Sequence, residues 1–190
     1  MVTITPTKLV DVKVVTSRVF TDERGHLIEA ANERELAAAG LAVRFVQDNL
    51  VHSGRGVLRG LHFQKANPQG KLVRAVTGAI FDVAVDVRRG SKTLGQWVGE
   101  TLVAGDGRAL WVPTGFAHGY LVLTETADVY YKCTDFYSPG DERGVRWDDP
   151  AIGIEWPVAA LGLARGTPVT PIVAPRDAAV PLLADADLPS

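Results

Sequence analysis

Ala79-Ile80-Phe81-Asp82-Val83-Ala84-Val85-Asp86-Val87 carries the clearest strand pattern in the chain. It is short, rich in β-branched residues, and closed by the turn chemistry of Arg89-Gly90-Ser91, the pattern of a strand rather than a helix. Successive side chains of a strand point to opposite faces. Phe81, Val83, Val85 and Val87 therefore share one side, and Ile80, Asp82, Ala84 and Asp86 the other. Outward from this segment the pattern repeats. Residues 43–52 (VRFVQDNLVH), 57–64 (VLRGLHFQ), 71–77 (KLVRAVT), 96–103 and 129–134 are strand-like. Ser53-Gly54-Arg55-Gly56, Asn67-Pro68-Gln69-Gly70 and Ala104-Gly105-Asp106-Gly107 separate them as turns. Strand and turn alternating every 8–12 residues or so predict an all-β sandwich or barrel of antiparallel strands.

One interior helix is expected, with Asn32 as its cap, Glu35 three residues later and Gly40 as its stop. Residues 158–190 are rich in Ala, Pro and Leu and are expected to form a C-terminal extension with short helices. With 190 residues, the chain fits a single domain, its core spanning about residues 14–157. The net charge of −2, from 20 Lys+Arg against 22 Asp+Glu, speaks against a nucleic-acid surface, which needs a basic excess. The lone Cys133 excludes an intramolecular disulfide and fits a reducing compartment. No run of 18 apolar residues and no signal-peptide core is present, so no membrane contact is expected and the cytoplasm is the default location.

Alternation also places polar groups together. Gln47 and Asn49 point the same way, and Tyr131 shares a side with Val129 and Cys133 while Tyr130 and Lys132 face opposite. Polar residues at such positions suggest a ligand-holding cavity. Arg59 and His62 fall on opposite sides unless Gly60 marks a bulge, as glycines within strands often do. Of the histidines His26, His52, His62 and His118, the first two sit in loop-like settings and are read as structural. His62 and His118 lie beside glycines that let a ligand approach closely. Two distant histidines with Gln64 two positions after His62 make a poor divalent-metal site. No metal and no cofactor is expected.

The ordered set Phe20-Thr21-Asp22-Glu23-Arg24-Gly25 with Glu29, Gln47-Asp48-Asn49, GVLRGLHFQ (56–64), QGKLVR (69–74), FDVAVDVR (81–88), PTGFAHG (113–119), YYKCTDFYSPGDERG (130–144) and GIEWP (153–157) resembles the dTDP-4-dehydrorhamnose 3,5-epimerase family. The resemblance covers about residues 14–160. It implies a metal-independent cupin jelly roll, a homodimer, and a dTDP-4-keto-6-deoxyhexose substrate. By the same resemblance His62 is the general base, Tyr131 the general acid and Lys71 the cation near the keto oxygen. Arg59 and His118 belong to the pocket; Arg24, Glu29, Gln47, Asn49 and Glu142 are nucleotide-sugar positions, some reaching across the dimer. Arg176-Asp177 resembles a Lys-Asp pair of the family, which makes Asp177 the carboxylate that orients His62. Arg24, Arg59 and Arg176 suit a pyrophosphate, because guanidinium forks bind phosphate oxygens in pairs. Phe20 and Tyr137 are candidates for stacking on the base, with plain packing an equal alternative.

Physical chemistry asks for the same groups. Hydrogens on the carbons flanking a ketone are acidified, yet their removal still needs a base near neutral pKa, a charge or donor on the oxygen, and an acid on the opposite ring face. The residue types of His62, Lys71 and Tyr131 match these needs. The implied activity is 3,5-epimerisation, the alternative being inversion at carbon 3 or carbon 5 alone.

Overall fold

The computed structural model describes residues 2–164, 167–168 and 170–189. In chain order the strands are β1 (Val2–Pro6), β2 (Lys13–Ser17), β3 (Val19–Asp22), β4 (Gly25–Ile28), β5 (Gln47–Gly54), β6 (Val57–Gln64), β7 (Lys71–Thr77), β8 (Ala79–Asp86), β9 (Trp97–Val103), β10 (Arg108–Val112), β11 (Phe116–Val122), β12 (Thr126–Cys133), β13 (Glu142–Gly144), β14 (Leu163–Ala164), β15 (Thr167–Pro168) and β16 (Ile172–Val173). Helix α1 (Glu33–Ala38) precedes β5, and α2 (Pro175–Ala178) follows β16.

Two sheets face each other. One runs β1-β2-β10-β7-β12-β5, the other β13-β6-β11-β8-β9, with β16 added in parallel to β6. Among the described residues the sheets do not close into a barrel, so the jelly roll is a sandwich. The inner faces hold the main core, in which Val73 and Val129 of the first sheet meet Ile80, Ala84, Leu102 and Val122 of the second. Sequence alternation explains β8. Ile80 and Ala84 face inward, while Val83, Val85 and Val87 face outward and join a second apolar cluster.

That outer face stays dry because the C-terminal tail covers it: Ala186 and Leu188 pack with Val85, Val87 and Ala117. On the far side of the first sheet, Leu36 of α1 packs with Leu41, Leu72 and Trp111. Asn32 caps α1 as the sequence predicts, its side-chain oxygen accepting from the Arg34 and Glu35 amides. The tail is thus part of the domain, not an appendage beyond it. Residues 2–6 also join the body, β1 pairing with β2. Among the described residues, no helix is long and apolar enough to cross a membrane.

Candidate active site

Strand register assembles the two walls of one cavity. In the first sheet Lys71 lies opposite Cys133, and Cys133 opposite Gln47. Two positions along, Tyr131 lies opposite Asn49 and Val73. In the second sheet His118 lies opposite His62, Tyr120 opposite Arg59, and Tyr120 also opposite Asp82. Three steps from Arg59 to His62 match two from Tyr120 to His118, so β6 bulges here. The bulge turns both Arg59 and His62 to the cavity. Gly60 makes it possible. Its φ is 125°, and a Cβ there would meet Gly119 Cα at 2.5 Å and the His118 carbonyl oxygen at 2.8 Å.

The cavity measures about 460 Å³, within the range of small-molecule sites. His62 enters from the second sheet and Tyr131 from the first, so they stand on facing walls. The tail supplies a third wall. Asp177, in α2, bonds His62 Nε2 through Oδ1 at 2.9 Å and accepts the Gly60 amide on Oδ2 at 3.3 Å. Burial works to raise the Asp177 carboxyl, but its hydrogen bond and charge contact with His62, then the Gly60 amide and Arg176, hold it below the ordinary range. Arg176 donates to Glu142 Oε2 at 2.9 Å, and the Tyr137 hydroxyl donates to the same oxygen at 3.1 Å.

Deeper in, His118 Nε2 bonds Asp82 Oδ1 at 2.8 Å, with both side chains buried. Burial lowers the His118 pKa although Asp82 pulls it upward, so a neutral imidazole is favoured. Lys71 is half-buried at the cavity wall, and burial lowers its pKa while Cys133, Glu142 and Asp82 oppose the shift. Burial, with Cys133 and Tyr120 next, pushes Tyr131 up to about 12. The Asn49 amide donates to Cys133 Sγ at 3.6 Å, and burial keeps that thiol above its usual pKa. Among the described residues, no group of three or more His, Cys, Asp or Glu side chains could hold a metal ion.

The profile of the dTDP-4-dehydrorhamnose 3,5-epimerase family matches residues 6–185 of the chain. The chain belongs to this family. It is 49% identical over 178 residues to the dTDP-4-dehydrorhamnose 3,5-epimerase of Pseudomonas aeruginosa, covering 93% of each chain. Its fold is similar to that of the Legionella pneumophila dTDP-6-deoxy-D-glucose-3,5-epimerase solved with dTDP-4-keto-L-rhamnose, with a TM-score of 0.90, 42% identity, and coverage of 100% and 98% of the two chains. A 3′-monoepimerase from Streptomyces bikiniensis solved with dTDP-quinovose also matches, with a TM-score of 0.84, 32% identity, and coverage of 94% and 87%.

Within this epimerase-family fold, the cavity brings together Gln47, Asn49, Arg59, His62, Lys71, His118, Tyr131, Tyr137, Glu142, Arg176 and Asp177. It does not bring in Phe20, Arg24 or Glu29. Phe20 and Arg24 line a shallow depression on the β3–β4 hairpin, and Glu29 accepts a hydrogen bond from Asn32 before α1. Three further groups escape sequence reasoning. Asp82 holds His118, Tyr120 lines the cavity, and Gln64 accepts the Ser138 amide and donates to the Asn67 and Phe136 carbonyls, fixing the loop that carries Tyr137. Parity along β8 puts Asp82 inward, a signal present in the sequence; the register with β11 that gives it a partner is not.

Proposed function

We propose that this chain converts dTDP-4-dehydro-6-deoxy-D-glucose to dTDP-4-dehydro-L-rhamnose, inverting carbons 3 and 5. One observation carries the reading: an imidazole backed by a carboxylate and a neutral phenol approach one cavity from opposite sheets. His62, oriented by Asp177, takes the proton from a carbon flanking the ketone. Electrons left by that C–H bond move to the keto oxygen, and the Lys71 ammonium opposes the growing negative charge. Tyr131, held neutral by its raised pKa, delivers its own proton to the same carbon from the other face. The phenolate then regains a proton, and His62 releases one, through solvent. Repeating the cycle at the second flanking carbon completes the product without a net change in protons or electrons.

Arg59 and Arg176 suit the pyrophosphate; Gln47, Asn49 and Glu142 suit the remaining nucleotide and sugar contacts, and Tyr137 the base. His118, kept neutral, completes the wall beside the sugar. The β3–β4 hairpin carries Phe20, 47% exposed, and Leu27, 63% exposed, beside Arg24 and away from its own cavity. These features support a homodimer in which the hairpin of one protomer, with Glu29, completes the nucleotide end of its partner's cavity. A cytoplasmic location fits the single, unpaired Cys133. Turnover in deuterated water followed by NMR tests the reaction: label at both carbons 3 and 5 is expected, and label at one alone overturns the double inversion in favour of a monoepimerase.

A further inference from the structure

Among the described residues, two buried side-chain atoms have no hydrogen-bond partner: the Tyr120 hydroxyl and Asp82 Oδ2. Both belong to one row of the second sheet, since Tyr120 and Asp82 are register partners. Buried polar atoms in native proteins are nearly always satisfied, so an orphan calls for a partner supplied from outside the protein. Tyr120 has the place for one. The residue is 3% exposed, its ring lies 6.3 Å from that of His118, and it lines the same cavity as Tyr131 and Arg59. Arg59 Nε donates to Ser53 Oγ at 3.0 Å, and although both residues lie close enough to the phenol to oppose the rise in its pKa, neither reaches hydrogen-bond geometry with it. Burial pushes the Tyr120 pKa up, so the hydroxyl stays protonated and available as a donor.

We propose that Tyr120 is a further substrate-binding residue whose hydroxyl donates a hydrogen bond to an oxygen of the hexose ring. The proposal rests on the epimerase reading above. That reading puts the sugar between His62 and Tyr131, and Tyr120 shares its wall with His118 beside this space. A donor that is unsatisfied without ligand and satisfied with it makes an unusual prediction. Removing the hydroxyl costs the free protein nothing, because replacing an orphan polar group by an apolar one of the same shape is neutral or stabilising. Only the sugar-bound state suffers.

The test is Tyr120→Phe, compared with wild type in thermal unfolding, in calorimetric titration with dTDP and with dTDP-quinovose, and in turnover of the 4-keto substrate. The expected result is a Tm at or above wild type and unchanged affinity for dTDP. Affinity for dTDP-quinovose and kcat/KM both fall roughly tenfold, the scale of one lost hydrogen bond to substrate. Unchanged sugar-nucleotide affinity with unchanged kcat/KM overturns the proposal. A lower Tm with unchanged kinetics also overturns it, and assigns the hydroxyl to an internal water shared with Asp82 Oδ2. A wild-type protein that neither binds dTDP-quinovose nor turns over the keto-sugar removes the underlying epimerase reading, and the proposal falls with it.

Discussion

At the scale of single residues, the cavity sorts its titratable groups by environment. Tyr131, pushed up to about 12 by burial and its neighbours, stays protonated through any practical assay range. Lys71 moves the other way, because the half-buried ammonium loses hydration that Cys133, Glu142 and Asp82 offset only in part. With Lys71 opposing charge on the keto oxygen as proposed, the alkaline limb of kcat/KM is expected to belong to the lysine. Activity is expected to fall with rising pH, at a midpoint below the ordinary lysine pKa, as the amine loses its proton. Lys71→Arg, whose guanidinium does not titrate there, is expected to lower the plateau but to remove this limb; a limb that persists in the variant assigns it to another group. His62→Ala and Tyr131→Phe are each expected to lower kcat by at least about a hundredfold, the usual scale for general acid–base groups. Circular dichroism matching wild type distinguishes that loss from misfolding. That His62, Lys71 and Tyr131 belong to one site was legible from residue types in order, and the cavity brings them together, whereas Asp82 and Tyr120 were not legible. Each of those two looks like a core-facing strand residue, and its meaning comes only from the neighbour that register places beside it.

At the level of elements, β6 lines the cavity with more residues than any other strand, and its bulge is what lets one strand present both Arg59 and His62. The parity conflict between these residues was visible in the sequence, as was the glycine able to resolve it. Gly60→Ala is a stringent check. The added methyl would sit 2.5 Å from Gly119 Cα, a backbone atom that cannot swing aside, at a φ that residues with a Cβ rarely adopt. Strain of this kind, together with overpacking, is expected to destabilise the protein by about 2 kcal/mol or more, measured by denaturant unfolding. Strands β6, β7, β8 and β9 fall within a residue of the positions their patterns predicted, because β-branched runs between glycine turns leave little choice. Other elements fared differently. The expected strand over residues 43–52 forms only from Gln47, and β1 to β4 carried too few alternating residues each to stand out before pairing gave them a partner.

At the scale of the whole molecule, the C-terminal tail links core stability to chemistry. Its register along the body was illegible because Ala- and Pro-rich sequence has no period, and contacts distant in the chain decide where it lies. The tail is held on both sides of Asp177, which meets His62. Upstream, β16 pairs with β6; downstream, the Arg146 amide donates to the Pro181 carbonyl and the Leu183 amide to Asp149 Oδ2. Beyond these, Leu188, 5% exposed, packs into the apolar cluster under β8 with Val85 and Val87. Asp187 pairs with Lys65 and Arg143 at the surface, where screening by water keeps such contacts weak, so burial is the stronger anchor. Leu188→Ala is expected to destabilise by about 2–5 kcal/mol, a fall in Tm of roughly 5–15 °C for a chain of this length. Should the anchor and the His62–Asp177 pair form one mechanical unit, kcat well below the melting transition is expected to fall too, while affinity for dTDP is retained. A variant with lowered Tm but full kcat would mean that β16 and the Gly60–Asp177 bond position the carboxylate without help from the end of the chain.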